Sequence, residues 1–150
     1  MQVAQAIERP GTTEHLPEFL DFILDSCRRA GTDEQVSSAL RLAVEEVCMD
    51  LIRYGYAGMP AGPIAIEFAA DPDRITLTVR DRARPFDPRD MPPPDLSPDW
   101  RRRPIGGLGW HLVKQLIDEI GYCSDPSAGN RLTLVKRFAV PGSLSDSGVR

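Results

Sequence analysis

The sequence is poor in the residues that build disulfide frameworks and metal clusters. It has three cysteines and two histidines among 150 residues. The cysteines, Cys27, Cys48 and Cys123, are odd in number, widely spaced and set among apolar neighbours, a pattern typical of buried thiols in a reducing compartment rather than of disulfides or a zinc site. Neither His15 nor His111 has a partner at ligand spacing, so both are predicted to be structural. We therefore expect a cytoplasmic protein without a cysteine or histidine metal site.

Long apolar runs and clustered positive charges are also missing. No segment approaches the roughly 20 apolar residues that span a bilayer. The first ten residues do not resemble a signal peptide either, because Glu8 and Arg9 follow only a short mixed run. The net charge is −4, and non-specific nucleic-acid binding needs more clustered cations than the short run at residues 101–103. We expect neither a membrane nor a nucleic acid as direct partner.

The composition that remains is that of one globular domain, with 41% hydrophobic and 27% charged residues. Residues 1–140 are predicted to form this domain, because the length suits a single core. Residues 141–150 contain three serines and two glycines, which favours a disordered tail.

Apolar periodicity predicts three helices. The second begins with two N-capping residues, Thr32 and Asp33, and Gln35 stands in capping-box position relative to Thr32. The predicted ranges are 14–29, 32 to about 54, and 110–120.

Alternation of apolar and polar residues predicts strands on either side of these helices. Residues 64–69 and 75–80 form a hairpin across an Asp-Pro-Asp turn, and 131–138 forms a strand that follows a turn at 125–130. Weaker strand signals lie at 2–7 and 122–123. The predicted fold is α+β: a two-layer sandwich in which about three helices cover one face of a largely antiparallel sheet.

A glycine-rich turn precedes the third predicted helix. Gly106, Gly107 and Gly109 would leave backbone N–H groups free at the positive end of the helix dipole, an arrangement that favours a phosphate. The spacing matches neither a P-loop nor a dinucleotide fingerprint. Three glycines near a helix start also occur in ordinary loops, so this turn alone leaves both interpretations open.

The segment before this turn is rich in proline. Seven prolines lie within residues 83–104, which excludes a helix or a central strand. Because it connects a strand-terminal aspartate to the glycine turn, we expect it to form a lid over a ligand.

Three carboxylates are candidates for chemistry. Glu46 and Asp50 are four residues apart on the second helix, where like charges repel. A divalent cation with oxygen ligands would offset the repulsion, and a solvated acidic helix face is the alternative. Asp81 ends a predicted strand and serves either in a turn or as an acceptor for an exocyclic amine.

In their order along the chain, these segments resemble the motifs of the GHKL ATPase/kinase superfamily, and most closely its serine kinase/anti-sigma regulators of the partner-switching type. Residues 42–56 resemble the N-box helix, 79–88 the adenine-binding box, 105–113 the second glycine box and 130–137 the closing strand. The resemblance implies a Bergerat-type, histidine-kinase-like ATPase fold.

The resemblance also implies roles for single residues. Asp81 would bind the adenine amino group, Glu46 would act as general base or position the attacking group, and Asp50 would ligate Mg²⁺ where the family usually has an asparagine. The segment 85–103 would be the lid. The remaining nucleotide contacts would come from Ala83, Pro85, Gly106, Gly107, Leu108 and Gly109.

Two further residues depart from the family pattern. Ala83 replaces the usual glycine beside the adenine, and Tyr54 stands where a histidine is common. Together with Asp50, these departures leave open whether transfer activity is retained.

Three functions follow from the resemblance. The first is an ATP- and Mg²⁺-dependent serine/threonine kinase that sequesters a sigma factor, phosphorylates an anti-anti-sigma protein of the STAS type and forms a homodimer. The second is a nucleotide-binding module that regulates a partner by association only. The third is the catalytic domain of a two-component-like ATPase.

Overall fold

The structure is a computed structural model, and it describes residues 3–90 and 107–139. Three helices and five strands follow one another in the order βααββαββ. Gly106, the later part of the predicted lid and the predicted tail lie outside the described residues. The bounds are β1 Val3–Pro10, α1 Leu16–Ala30, α2 Glu34–Asp50, β2 Pro63–Asp71, β3 Arg74–Asp81, α3 Gly107–Leu116, β4 Glu119–Asp125 and β5 Gly129–Arg137.

The five strands form one sheet in the order β1-β2-β3-β5-β4, and every neighbouring pair is antiparallel. The two predicted hairpins are β2–β3 and β4–β5. The strand β5 lies between β3 and β4, so its first residues meet the last residues of β3. This pairing places Asn130 opposite Asp81.

One face of the sheet is apolar and packs against the helices. Side chains on successive strand residues point to opposite faces, and the buried set alternates accordingly along β2, β3 and β5. Full burial of such a side chain contributes about 1.5–3 kcal/mol. The predicted α+β fold is therefore confirmed. The sheet contributes Ile64, Ile66, Phe68, Ile75, Leu77, Val79, Leu132 and Leu134 to the core, and the helices contribute Phe19, Ile23, Leu40, Val44, Val47 and Val113.

The start of α2 differs from the predicted capping box. Asp33 is the N-cap, and its Oδ1 accepts a hydrogen bond from Val36 N at 2.8 Å. Thr32 instead belongs to the end of α1, because its backbone N–H donates to Cys27 O at 3.2 Å. The short aspartate side chain thus caps the helix through Val36 N–H, one residue after the Gln35 N–H that the predicted Thr32–Gln35 box would have used.

The end of α3 was also predicted wrongly. The helix ends at Leu116 and not at residue 120, because the next residues pair with β5. Asp118 N donates to Val135 O at 2.9 Å, and Ile120 lies opposite Leu134 in the β4–β5 ladder. The helix also begins at Gly107, three residues before the predicted start.

The end of α2 runs into a single wide turn, Leu51–Gly55, with π-helical hydrogen bonding. The predicted helical stretch to about residue 54 is therefore helical throughout, but its last turn is wider than an α-helical one. Such turns are frequent at functional sites. Here the turn brings Leu51, Tyr54 and Gly55 to the end of β3.

Candidate functional site

A cavity of about 410 Å³ lies where the last turns of α2 meet the ends of β3 and β5 and the start of α3. Its walls are mainly apolar, with a few polar side chains among them, as is usual for small-molecule sites. The apolar lining includes Val47, Leu51, Val79, Trp110 and Leu132, and the polar side chains are Asp50, Tyr54, Asp81, Arg84, Tyr122 and Asn130.

Asp81 lies in the cavity lining as the last residue of β3 and is only 7% exposed. Its Oδ1 accepts hydrogen bonds from Ala83 N at 2.9 Å and from Asn130 Nδ2 at 2.8 Å. Burial raises the pKa of this carboxyl, and the two donors counteract that shift. No residue in the described ranges donates to Oδ2, so this oxygen remains available as an acceptor.

Asn130 is a site residue that sequence reasoning missed, because it appeared only as the first residue of the closing strand. It is 3% exposed and lines the cavity. Its contact with Asp81 depends on the pairing of β3 with β5, which joins residues 49 positions apart. No local pattern in the sequence signals that pairing.

Asp50 also lines the cavity, one helical turn after Glu46. Its Oδ2 is buried and has no hydrogen-bond partner within residues 3–90 and 107–139. Burial, helped by the negative charge of Glu46, raises the pKa of Asp50 to about 7, although Arg53 acts in the opposite direction. A buried carboxylate oxygen without a partner fits a ligand of a hard divalent cation.

Asp50 is a candidate protein ligand for such a cation. Among the described residues, no group of three or more His, Cys, Asp or Glu side chains is placed to hold a metal ion. Mg²⁺ is commonly held by one or two carboxylates together with substrate phosphates. The site therefore fits a metal that arrives with a phosphate-bearing ligand.

Glu46 meets the predicted glycine turn. A Cβ atom on Gly109 would overlap with Glu46 Oε2, so the absence of a side chain at 109 allows the carboxylate to contact the first turn of α3. Gly107 and Leu108 belong to the same helical turn. The fold thus brings Glu46 and the glycine segment together at the start of α3.

Ala83 lies beside the cavity rather than in its lining. It is buried, and its methyl group faces Gly55, where an added Cβ would lie 2.9 Å away. Arg84 N also donates to Gly55 O at 3.2 Å. The methyl group that distinguishes Ala83 from the usual glycine is therefore accommodated by Gly55.

The first residues of the predicted lid are anchored at the cavity rim. Pro85 and Phe86 line the cavity, and Phe86 N donates to the Tyr122 hydroxyl at 2.8 Å. The Phe86 ring lies 6.3 Å from that of Trp110, tilted by 47°. Trp110 is 5% exposed, and its Nε1 has no acceptor in the described part of the chain. No pattern in the sequence marks Tyr122 or Trp110 as a site residue.

The histidines and cysteines lie away from the cavity lining. His15 Nδ1 contacts the Glu18 carboxylate, and His111 Nε2 lies 3.1 Å from Gln115 Nε2. Cys27 and Cys48 are buried, and burial raises the pKa of Cys48 to about 12. The prediction of a buried thiol was wrong for Cys123, which is exposed because it lies on the edge strand β4.

The sheet, its helical layer and this cavity define a two-layer α+β domain with a ligand site at one end of the sheet. The family model for the histidine kinase-like ATPase domain matches residues 10–136. The chain therefore belongs to the histidine kinase-like ATPase domain family.

The chain is similar to proteins named serine-protein kinases. The chain is 28% identical over 96 residues to the serine-protein kinase RsbW of Listeria monocytogenes serovar 1/2a, an alignment that covers 61% of each protein. It is 31% identical over 90 residues to RsbW of Bacillus cereus, covering 57% of this chain and 56% of the relative. The chain thus matches 61% or less of the length of these relatives.

A solved structure has the same fold. The RsbU and RsbW domains of Rv1364c from Mycobacterium tuberculosis superpose with a TM-score of 0.63 at 16% sequence identity, over 90% of this chain and 32% of that one. Separately, none of the helices in the described part of the chain is long and apolar enough to cross a membrane.

Proposed function

We propose that this chain is an ATP-dependent protein serine/threonine kinase that acts as an anti-sigma regulatory factor. It would bind a sigma factor and phosphorylate a serine of an anti-anti-sigma protein. The observation that carries the proposal is the cavity with Asp81 in its lining and with Glu46 nearby, against the first turn of α3. The similarity to RsbW serine-protein kinases supports it.

The base of ATP would lie against the apolar walls formed by Val79 and Leu132, with its exocyclic amine donating to Asp81. Asp81 is suited to this role because it is buried and its free oxygen is an acceptor. A base that presents a carbonyl at this position would leave two acceptors face to face, which is unfavourable in a buried site.

The phosphates would lie near the first turn of α3, where Gly107, Leu108 and Gly109 supply backbone N–H groups at the positive end of the helix dipole. Mg²⁺ bound by Asp50 and the phosphates would neutralise charge at the transferring group. The unpartnered, buried Oδ2 of Asp50 supports this assignment.

Glu46 would accept the proton of the attacking serine hydroxyl. The serine oxygen forms a bond to the γ-phosphorus while the bond to the β–γ bridging oxygen breaks, and ADP leaves. Positioning and charge neutralisation supply most of the catalysis in such transfers, and general-base assistance adds about 10²–10⁴-fold. The contact of Glu46 with Gly109 would fix the carboxylate beside the phosphates.

A second function is favoured by one observation. An ionised Asp50 adds negative charge beside a triphosphate, and the usual asparagine would not. A chain weakened in this way would bind nucleotide and a partner without transfer, and would regulate by association alone. A homodimer is compatible with either function.

A transfer assay separates the two functions. The chain would be incubated with γ-labelled ATP, Mg²⁺ and an anti-anti-sigma protein of the STAS type, and label on the partner would be measured over time. We expect Glu46→Gln to lower the transfer rate by about 10²–10⁴-fold while retaining ATP binding, because glutamine keeps the shape but accepts no proton.

The matched control is Glu45→Gln, the same substitution one residue earlier on α2, where Glu45 pairs with Arg41 at 3.3 Å. It should transfer at nearly the parent rate. Equal rates for Glu46→Gln and the parent would remove Glu46 from the mechanism. Tight partner binding by a parent chain that transfers no phosphate would favour the association-only function.

A further inference from the structure

The side-chain amide of Asn130 uses both of its hydrogens and one acceptor position of its oxygen in protein contacts. Its Nδ2 donates to Asp81 Oδ1 at 2.8 Å and to Ala83 O at 2.7 Å. Its Oδ1 accepts from Ser124 Oγ at 2.7 Å. Both amide hydrogens and the carbonyl oxygen are therefore used, in a side chain that is only 3% exposed.

These contacts fix which way the amide faces. The Ala83 carbonyl can only accept, and an ionised Asp81 carboxylate can only accept, so the NH₂ group must face both. The opposite orientation would place three oxygens together in a buried site. Because both hydrogens are used, Asn130 has none left to donate to a ligand. Its two N–H groups act on Asp81 and Ala83 instead.

The same contacts fix the orientation of Asp81. Ala83 N and Asn130 Nδ2 both donate to Oδ1, and no described residue donates to Oδ2. The carboxylate is held by one oxygen and has the other free, on a side chain that lines the cavity. The two donors also favour the ionised form, against the effect of burial.

We propose that Asn130 is the positioning residue that determines the base specificity of this site. By holding Asp81 as a fixed acceptor, it selects a purine with an exocyclic amine at position 6 and rejects one with a carbonyl there. This inference rests on the proposed ATP site, and it assigns to Asn130 the discrimination between the two kinds of purine. Without Asn130, the Asp81 carboxyl can rotate or take up a proton. It can then either accept from an amine or donate to a carbonyl, so its preference between the two purines is weaker.

Calorimetric titration with MgATP and MgITP tests this inference, because ITP carries a carbonyl in place of the amine. We expect the parent to prefer ATP. Asn130→Ala should reduce the ATP-to-ITP affinity ratio by about tenfold, mainly through weaker ATP binding.

Asn130→Asp, which has nearly the same shape, should also reduce the ATP-to-ITP affinity ratio. At most one proton is shared between the two adjacent carboxyls, and Asp81 Oδ1 and Ala83 O compete for it, so Asp81 is no longer held as a fixed acceptor and its preference for an amine over a carbonyl falls.

Ser124→Ala is the matched control. It removes the hydrogen bond from Ser124 to the Asn130 oxygen. The two hydrogen bonds that Asn130 donates, to Asp81 and to Ala83, remain, so the ATP-to-ITP affinity ratio should change by less than about threefold. A purely structural role for Asn130 predicts that both nucleotides weaken equally, with an unchanged ratio, and this result would overturn the inference. If Asn130→Ala does not fold, the ratio for Asn130→Asp decides the question. A parent chain that binds neither nucleotide would instead refute the proposed function, and the inference with it.

Discussion

Burial of the Asp50 carboxyl in the folded chain costs free energy, and this cost depends on pH. Its pKa of about 7 in the folded chain lies above the ordinary value of 3.8, chiefly because burial disfavours the charge. The folded state therefore holds the proton more tightly than the unfolded state does. The resulting contribution to stability is full below about pH 4 and is lost as the pH rises to about 7.

Asp50→Asn should therefore be more stable than the parent at about pH 8, by on the order of 2 kcal/mol, and nearly equal to it at about pH 4. The amide carries no charge to bury. Urea unfolding in a chelating buffer without nucleotide, across this pH range, measures the difference. Asp21→Asn, an exposed position on α1, is the control and should show little change. A difference between Asp50→Asn and the parent that does not vary with pH would contradict the assignment.

The sequence singles out the three carboxylates of the candidate site but not their neutral partners. Asp81 stands out at the end of a predicted strand, and Glu46 and Asp50 stand out as like charges four residues apart on one helix. Asn130 and Trp110 could not be identified in the same way. The role of Asn130 depends on which strand pairs with β3, and the role of Trp110 depends on what packs against its indole N–H. Local spacing in the sequence indicates neither.

The contact between α2 and α3 depends on a missing side chain. Gly109 in the first turn of α3 leaves room for the Glu46 carboxylate from α2. The carboxylate is the far end of a flexible side chain, so it can rotate away at small cost. An alanine at 109 would then change the position of Glu46 more than the stability of the fold.

Gly109→Ala should therefore lower the rate of phosphate transfer by at least about tenfold. The free energy of unfolding should change by no more than about 1 kcal/mol, since alanine is also a better helix former than glycine. Transfer rate and thermal midpoint would be measured in parallel. Gly121→Ala is the control: the nearest atom to its added Cβ is Thr133 Cβ at 3.8 Å. Parent-like transfer by Gly109→Ala would mean that the position of Glu46 does not limit the reaction.

Individual elements were predicted well where the pattern is local. The β2–β3 hairpin follows from strict alternation on both sides of an Asp-Pro-Asp turn, and α1 and α2 follow from their apolar stripes. The end of α3 was not predictable in this way. Ile117 and Ile120 continue a helical spacing, yet pairing of β4 with β5 takes Ile120 into the sheet.

At the scale of the whole molecule, the cavity lies where segments that are distant in sequence meet. The order of the strands puts β5 between β3 and β4, and the wide turn after α2 reaches the same end of the sheet. Sequence periodicity predicts the helical and sheet layers, but it does not predict strand order. The family resemblance implied a histidine kinase-like ATPase domain, and the family match over residues 10–136 confirms the family. The strand order is known only from the structure.

The most direct test of the account is calorimetric titration of the chain with MgATP and MgGTP, repeated for Asp81→Asn. We expect ATP to bind more tightly than GTP, because Asp81 presents an acceptor to the amine of adenine. Asp81→Asn should weaken ATP binding by about 1–3 kcal/mol, which is roughly 5- to 150-fold. Asp71→Asn, at the far end of the β2–β3 pair, should bind ATP as the parent does. Equal affinity of the parent for ATP and GTP, or unchanged ATP affinity in Asp81→Asn, would contradict the account.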